Sequence, residues 1–585
     1  MRRIYEIPII VRYKALKRLE NKKKYSLYIK KNEKKIIFSK DKNTSCILCS
    51  IMIYKDSTLG ELQQTLSSIR KQVGYVSNKV ILILEKEKYE QTDLKLYIDD
   101  LLAKGKILLY TGIHEPALRS DQYMVVIKCG DILSPYYLYE MENCIEQSKA
   151  DLIYADEDEI IVSNMQRQNP YFKPDWSPDT LLSYNYIGNS SCIRIALLRK
   201  YGIELNYEND LIQYQHSKKY FILWNYDYLL RTTEVSKQIY HTNKIMYHRA
   251  YSEDETMYDR ILLNEEKNTK VESLFVQTLI QVKYNALARR GVECQIIYDK
   301  DSKLGNILYD SKYEKISIII PTKNNNTIFE QCVNSILKVT KNSKYEIIVI
   351  DNGSDSDSRR RYQQYCEKYK MNYIWKQMEF NFSRMCNLGT SYAQGDILLF
   401  LNDDTQIIQE NWLDILAGQA LMDKTALVGV KLLYPDKETI QHCGIINQSG
   451  NYTHAFYQMK QSQKCYHNLS NTVMNCFSVT GACLCITKKI FDQLGGWSEE
   501  FPIAYNDVEL GIRALREGFV NVVRNDVVVL HYESLSRGTD MKYKQLYRLG
   551  KERRKLIRMY EDFGNNDPYY NKNLSRYTTD YDINY

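Results

Sequence analysis

The sequence predicts an α/β protein: two tandem units, each a mainly parallel sheet with helices on its faces. Three observations carry this expectation. Short apolar runs alternate with amphipathic helical stretches, the pattern of strand–helix–strand folding. That pattern occurs twice, because Ser50-Ile51-Met52-Ile53 reappears as Ser317-Ile318-Ile319-Ile320, and Ser68-Ile69 as Ser335-Ile336, at one shared offset of 267 residues. The 585 residues, 44% hydrophobic and 26% charged, provide for several globular units and exclude a disordered chain, a collagen or a bare coiled coil.

The segments follow in chain order. Residues 1–44 form a basic arm, with 15 Lys/Arg against 4 Asp/Glu. Unit one covers 45–265. A helical connector covers 266–312, where Val271 to Arg290 has helical periodicity and Gly291 stops it. Unit two covers 313–540. A basic tail, 541–585, opens with eight Lys/Arg against Glu552 within 541–560. Basic arms suit anionic surfaces. No helix-turn-helix, zinc or RNP pattern accompanies them, so no nucleic-acid partner is expected.

No run approaches the ~18 apolar residues of a membrane span. The apolar start is broken by Glu6 and stopped by Arg12, so no secretory leader is expected. Fourteen cysteines then imply reduced thiols and a cytoplasmic setting. Cys46 and Cys49 make a lone C-x-x-C, and with no second pair they read as strand residues.

In an open α/β sheet, ligands bind beyond the carboxyl ends of the strands. Unit two places polar clusters at three such ends: Pro321-Thr322-Lys323-Asn324, Asp351-Asn352-Gly353-Ser354 and Asn402-Asp403-Asp404-Thr405. No Walker or G-x-G-x-x-G loop is present to hold phosphates. Adjacent Asp403 and Asp404 suit a hard divalent cation, Mg²⁺ or Mn²⁺, shared with substrate phosphates. Further on, Asp507 and Glu509 open a helical pattern, where Asp507 is a cap or a general base. His531 ends the apolar run Val527–Leu530 and suits a metal.

These residues together resemble the family 2 glycosyltransferases, inverting enzymes of the GT-A fold. The resemblance covers about 315–575. It includes S-I-I-I-P-T, D-N-G-S, Asn387-Leu388-Gly389, L-N-D-D-T, Gly495-Gly496-Trp497, Y-N-D-V-E-L and H-Y-E-S-L-S-R-G. Asp567-Pro568-Tyr569-Tyr570-Asn571 resembles the tail of members that build rhamnose-containing or O-antigen polysaccharides. The resemblance implies a nucleotide-sugar donor bound by Pro321, Thr322, Asn324, Asp351, Asn387 and Asp403. It implies a metal on Asp404 and His531, a catalytic base at Asp507, and acceptor contact at Glu509. Two departures stand out: Asn402 replaces the first Asp of the usual D-x-D, and Glu509 replaces the more frequent Asp.

Unit one shares the family pattern in Asp156-Glu157-Asp158, Pro170 to Asp179 (P-x-x-K-P-D-W-S-P-D) and Tyr247-His248-Arg249. Its chemistry reads as stripped. Asp131-Ile132-Leu133 closes a strand as the Asp403-Asp404 region does, yet Lys128-Cys129-Gly130 is expected where unit two has Asn402-Asp403-Asp404, Glu85 matches Asp351, Asn225 matches Asp507, and Tyr54 replaces Pro321. The leading expectation is an inverting, metal-dependent glycosyltransferase acting on a lipid-linked saccharide in surface polysaccharide synthesis. Its basic termini suit peripheral contact with an anionic membrane face. Two alternatives stay open: two active units, or a non-catalytic glycan- or nucleotide-binding scaffold.

Overall fold

The computed structural model describes residues 23–33, 46–54, 56–73, 80–83, 92–110, 118–203, 221–251, 269–310, 312–313, 315–341, 344–532 and 543–584. Both units are α/β. In unit two the spatial order of strands is Asn372–Trp375, Tyr345–Asp351, Ile316–Thr322, Ile397–Leu401, Cys483–Thr487, Thr425–Leu433, Val520–His531 and Thr405–Ile407. In unit one it is Ile107–Tyr110, Val80–Ile83, Ile47–Met52, Tyr123–Lys128, Ser191–Arg194, Leu152–Ile161, Ile239–Ala250 and Ile132–Leu133. The two orders correspond strand for strand. The first four strands of each are parallel, and antiparallel pairs enter in the second half.

The parallel strands are apolar because helices cover both faces. Ile397–Leu401 is buried throughout, and Ile316–Thr322 at all but Pro321. The Asn326–Val339 helix buries Phe329, Cys332, Val333 and Ile336 on one face, while Phe382–Ser391 buries Met385, Cys386 and Gly389 on the other. A Cβ on Gly389 would stand 2.4 Å from Ile319 Cγ2, so only glycine lets that helix lie on the sheet.

The connector is helical for only half its length. Thr269–Arg289 is the expected helix, and Gly291 ends it at φ 69°. An antiparallel hairpin, Cys294–Asp299 with Leu304–Tyr309, follows it. Fully buried Lys283 of this helix donates to Ser183 O at 2.6 Å and Gly305 O at 2.9 Å, tying unit one to the hairpin. No helix among the described residues is long and apolar enough to cross a membrane.

The termini are docked, wherever they are described. Helix 23–32 buries Tyr25 and Tyr28, Tyr28 packs edge-on to Phe172, and Lys24 pairs with Asp582 at 2.7 Å. The remainder of the expected N-terminal arm, and Glu85, lie outside the described residues. The C-terminal segment does not stand clear as a solvated tail. Beyond the helix Tyr543–Met559, its Asn571 amide donates to Asp156 and to Lys173 O of unit one.

Residues 170–179, a motif singled out in the sequence, form much of the seam between the units. Phe172 N donates to Tyr466 Oη at 2.7 Å, and Asp175 N to Pro568 O at 2.7 Å. Asp179 is buried and receives Asn475 Nδ2 at 2.8 Å and Gln419 Nε2 at 2.9 Å, while Asn475 Oδ1 accepts from Asp179 N at 3.0 Å. Burial pushes the Asp179 carboxyl up, and these two amides pull against it. Asn475→Ala therefore leaves a buried carboxylate short of a donor. Stability is expected to fall by about 1–3 kcal/mol, read as an earlier thermal or urea transition; an unchanged transition contradicts the seam's role.

Candidate functional site

The carboxyl ends of the parallel unit-two strands lie along one edge of the sheet. Thr322 and Asp351 end neighbouring parallel strands and are in register. Asp351 is fully buried; its Oδ1 accepts from Ser354 N at 2.9 Å and Ser354 Oγ at 2.6 Å, and its Oδ2 from Tyr373 Oη at 2.5 Å. It orders the 351–355 loop from beneath. Asn324, at φ 49°, joins that loop to its own, donating through N to Ser354 Oγ and accepting at Oδ1 from Asp355 N. Thr322 Oγ1 donates to Asp403 Oδ2 at 2.7 Å, and Asn325 Nδ2 reaches the same oxygen at 3.2 Å. Partly exposed Pro321 completes this rim, opposite Ile350.

Asn387 is placed apart from that network. Its amide exchanges a reciprocal pair of hydrogen bonds with the Trp497 backbone, at 2.9 and 3.0 Å, so it anchors the Gly495–Trp497 turn. Trp375 was not legible as a site residue. It lies in register with Asp351, is 36% exposed, and carries the Arg359 guanidinium 4.3 Å above its ring. An aromatic face at that strand end suits stacking on a planar ring.

Asp404 and His531 meet because the short strand Thr405–Ile407 pairs antiparallel with the end of Val520–His531, Thr405 facing His531. Tyr532 N donates to Asp404 O at 2.8 Å, and His531 Nε2 lies 3.0 Å from Asp404 Oδ1. Gln441 Oε1 accepts from His531 Nδ1 at 2.7 Å. That bond fixes the ring with Nε2 toward Asp404, where it donates to the carboxylate when protonated and would offer its lone pair to a metal once that proton is lost. The pair fits a cation that takes its other ligands from phosphate and water. Among the described residues no third His, Cys, Asp or Glu joins them.

Asp507 lies in the first turn of the Asn506–Arg516 helix, which starts after Tyr505 at φ 59°. Its Oδ2 accepts from Gly481 N at 3.1 Å and its Oδ1 from Val508 N at 2.8 Å. Burial lifts its carboxyl above the ordinary range, with the Gly481 and Val508 amides opposing. Glu509 has a different setting from that expected. It is 2% exposed, chelated by Arg513 through Nε at 2.8 Å and Nη2 at 2.7 Å, and receives Tyr560 Oη at 2.6 Å. Unit one repeats the same i,i+4 pair as Asp227–Arg231. A pair kept in both units holds the helix; it does not distinguish a reaction.

The register also corrects the expected match in unit one. Ile132 faces His248 as Thr405 faces His531, which puts Asp131, not Gly130, at the place of Asp404. The carboxylate survives but is consumed internally. Asp131 is fully buried; Oδ2 accepts from Tyr247 Oη at 2.7 Å and Asn189 Nδ2 at 3.2 Å, and Oδ1 from Ala250 N at 2.9 Å. His248 Nδ1 pairs with Asp158 at 2.5 Å. Lys173 and Glu157, both buried, pair at 3.1 Å, and Lys173 also donates to Ala155 O and Ile187 O. Asn225 donates to Gly188 O at 2.7 Å, where unit two has the carboxylate of Asp507.

Two family models match this half of the chain: "Glycosyl transferase family 2" over residues 317–479 and "Glycosyl transferase family group 2" over 420–552. Unit two belongs to glycosyl transferase family 2. Among similar proteins is "O-antigen biosynthesis protein RfbC" of Myxococcus xanthus, 28% identical over 475 residues, 79% of this chain and 34% of the relative. "Uncharacterized protein y4gI" of Sinorhizobium fredii is 28% identical over 78% of this chain and 49% of its own length. "Glycosyltransferase AglE" of Haloferax volcanii is 28% identical over 37% of this chain and 66% of its own. The chain thus spans a third to a half of the length of the first two relatives.

The structural reading of Glu509 has a direct test. A double-mutant cycle on Glu509→Gln and Arg513→Met is expected to return a coupling of about 1–3 kcal/mol in unfolding experiments. A coupling near zero contradicts it.

Proposed function

We propose that this family 2 glycosyltransferase is an inverting, metal-dependent enzyme with one active centre, in unit two. It moves a sugar from a nucleotide-sugar to a saccharide acceptor in surface polysaccharide synthesis. The observation that carries this reading is the contrast between the units. Unit two has the Asp404–His531 pair and a partly buried carboxylate, Asp507, linked through the 481–482 backbone to the strand end that bears Asp404. Unit one satisfies its counterpart Asp131 internally and has Asn225 for the base. Two active units are disfavoured on the same ground. The pair of units spans 45–265 and 313–540.

The Thr322–Asp403 and Asp351–Ser354 network would shape the nucleoside end of the site, with Trp375 as an exposed face beside it. Asp404 and His531 would hold Mg²⁺ or Mn²⁺, which neutralises charge gathering on the departing diphosphate. Asp507 accepts the proton of the acceptor hydroxyl as its oxygen bonds to the anomeric carbon. The bond from that carbon to the diphosphate oxygen breaks, its electron pair leaving with the phosphate. Attack opposite the leaving group inverts the centre. Glu509 and Arg513 position the helix that bears the base. Peripheral contact with an anionic, cytoplasmic membrane face, where a lipid-linked acceptor would lie, is supported by exposed Lys551, Arg553, Arg554 and Arg558 on the C-terminal helix, and a role in surface polysaccharide synthesis by the name of the Myxococcus relative.

Asp507 must be ionised to act, so activity rises with pH through its pKa. Burial places that midpoint above the ~3.9 of a free aspartate. Asp507→Asn is expected to lower kcat by about 10²–10⁴ and to abolish this acidic limb, and chelation of divalent metal to abolish transfer. A variant with the wild-type profile removes Asp507 from the role of base.

A further inference from the structure

Two adjacent backbone N–H groups link the proposed base to a histidine pair that none of the roles above uses. Gly481 N donates to the Asp507 carboxylate at 3.1 Å, and the adjoining Thr480 N donates to His442 Nε2 at 3.4 Å. His442 Nδ1 lies 2.6 Å from His454 Nδ1. His442 is fully buried, whereas His454 is partly exposed.

The donor rules settle the protons along this link. A backbone N–H can only donate, so His442 Nε2 accepts and, in a neutral ring, Nδ1 carries the hydrogen. That hydrogen must go to His454 Nδ1, which leaves the second imidazole protonated at Nε2. Both rings are held neutral: burial, with the neighbouring His454 and then His531 behind it, drives His442 well down, and burial with His531 takes His454 to about 4. His454 therefore offers one N–H donor of fixed tautomer. Two tyrosines lie next to it. The Tyr457 ring centroid is 6.3 Å from that of His454, Tyr457 is 38% exposed, and its hydroxyl is 3.1 Å from that of Tyr434. An N–H beside an exposed aromatic edge is the equipment that binds a sugar, through one oxygen and one C–H face. The link leads to the base, which an acceptor hydroxyl has to reach, and His531 also neighbours both rings.

We propose that His454 contacts the saccharide acceptor, donating from Nε2 to a sugar oxygen while the ring packs on Tyr457, with His442 and Thr480 as positioning residues. This rests on the glycosyl-transfer reading above. The test uses the full chain, a panel of UDP-, dTDP- and GDP-sugars, and octyl glycosides of hexoses and N-acetylhexosamines as acceptors. Transfer and the slower release of nucleotide to water are both measured. His454→Ala is expected to raise the acceptor KM about tenfold and leave the donor KM and the release to water within twofold. His454→Gln, which keeps an N–H, is expected to recover most of the loss, and Tyr457→Ala to raise the acceptor KM alone. An unchanged acceptor KM in His454→Ala, or a change confined to the donor KM, overturns the proposal while the transfer reading stands. No nucleotide release by the wild type from any donor overturns the transfer reading and this inference with it. Nitrogen-15 spectra of histidine-labelled protein, assigned with His454→Gln, check the link without turnover: His442 should be protonated at Nδ1 and His454 at Nε2, and the reverse tautomers overturn it.

Discussion

The pairing of Thr405 with His531 is the contact on which the site depends. It closes the far edge of the unit-two sheet and brings together two side chains 127 residues apart in the chain. A strand pair sets register in steps of one residue, and a slip of one would turn Asp404 or His531 to the opposite face. The backbone bond from Tyr532 to Asp404 O and the Gln441 bond to His531 hold the pair from both sides. The same contact exists in unit one, between Ile132 and His248, and it delivers an aspartate to the same place. The scaffold is therefore common to both halves, and the surrounding side chains decide whether the carboxylate faces a ligand or is used up within the protein.

In unit one it is used up. Asp131 serves Tyr247, Asn189 and the backbone of Ala250, and a buried Lys173–Glu157 pair occupies adjoining space. A Cβ on Gly188 would lie 2.6 Å from the Glu157 carboxylate, a measure of how closely that region is filled. Polar residues of unit one support the seam. Asp156 receives Asn571 of the C-terminal segment, and Asp179 receives Asn475 and Gln419 of unit two. Buried carboxylates need partners wherever they lie, and here the partners come from the other unit. Unit one is thereby joined to unit two by buried polar contacts.

Much of this was legible in the sequence, and the limits follow from periodicity. Alternating apolar runs and a shared offset disclose two α/β units, because strand and helix periods are local. Polar clusters at strand ends disclose Thr322, Asp351, Asp403 and Asp404, since the chain must turn there. What failed was register. The sequence offered two matches for the Asp403-Asp404 region, Asp131-Ile132-Leu133 and Lys128-Cys129-Gly130, because pairing between distant strands leaves no local signal, and the edge strand decides for Asp131. The hairpin 294–309 was read as part of a helical connector, although Ile296, Tyr298 and Ile307 do alternate with other residues. Glu509 looked available beside Asp507, but its i,i+4 relation to Arg513 was the signal of an ion pair. Trp375 and His454 carry no local mark; only the fold sets Trp375 beside Asp351 and His454 beside His442.

The central claim is that one of two matched aspartates serves a reaction and the other serves the fold. The measurement that tests it most directly is nucleotide release from a panel of nucleotide-sugars by Asp404→Asn and Asp131→Asn, each isosteric with the native residue, beside the wild type. The account predicts that Asp404→Asn loses release without losing stability, and that Asp131→Asn keeps release per folded molecule but unfolds earlier. Loss of release in Asp131→Asn with retention in Asp404→Asn would contradict it.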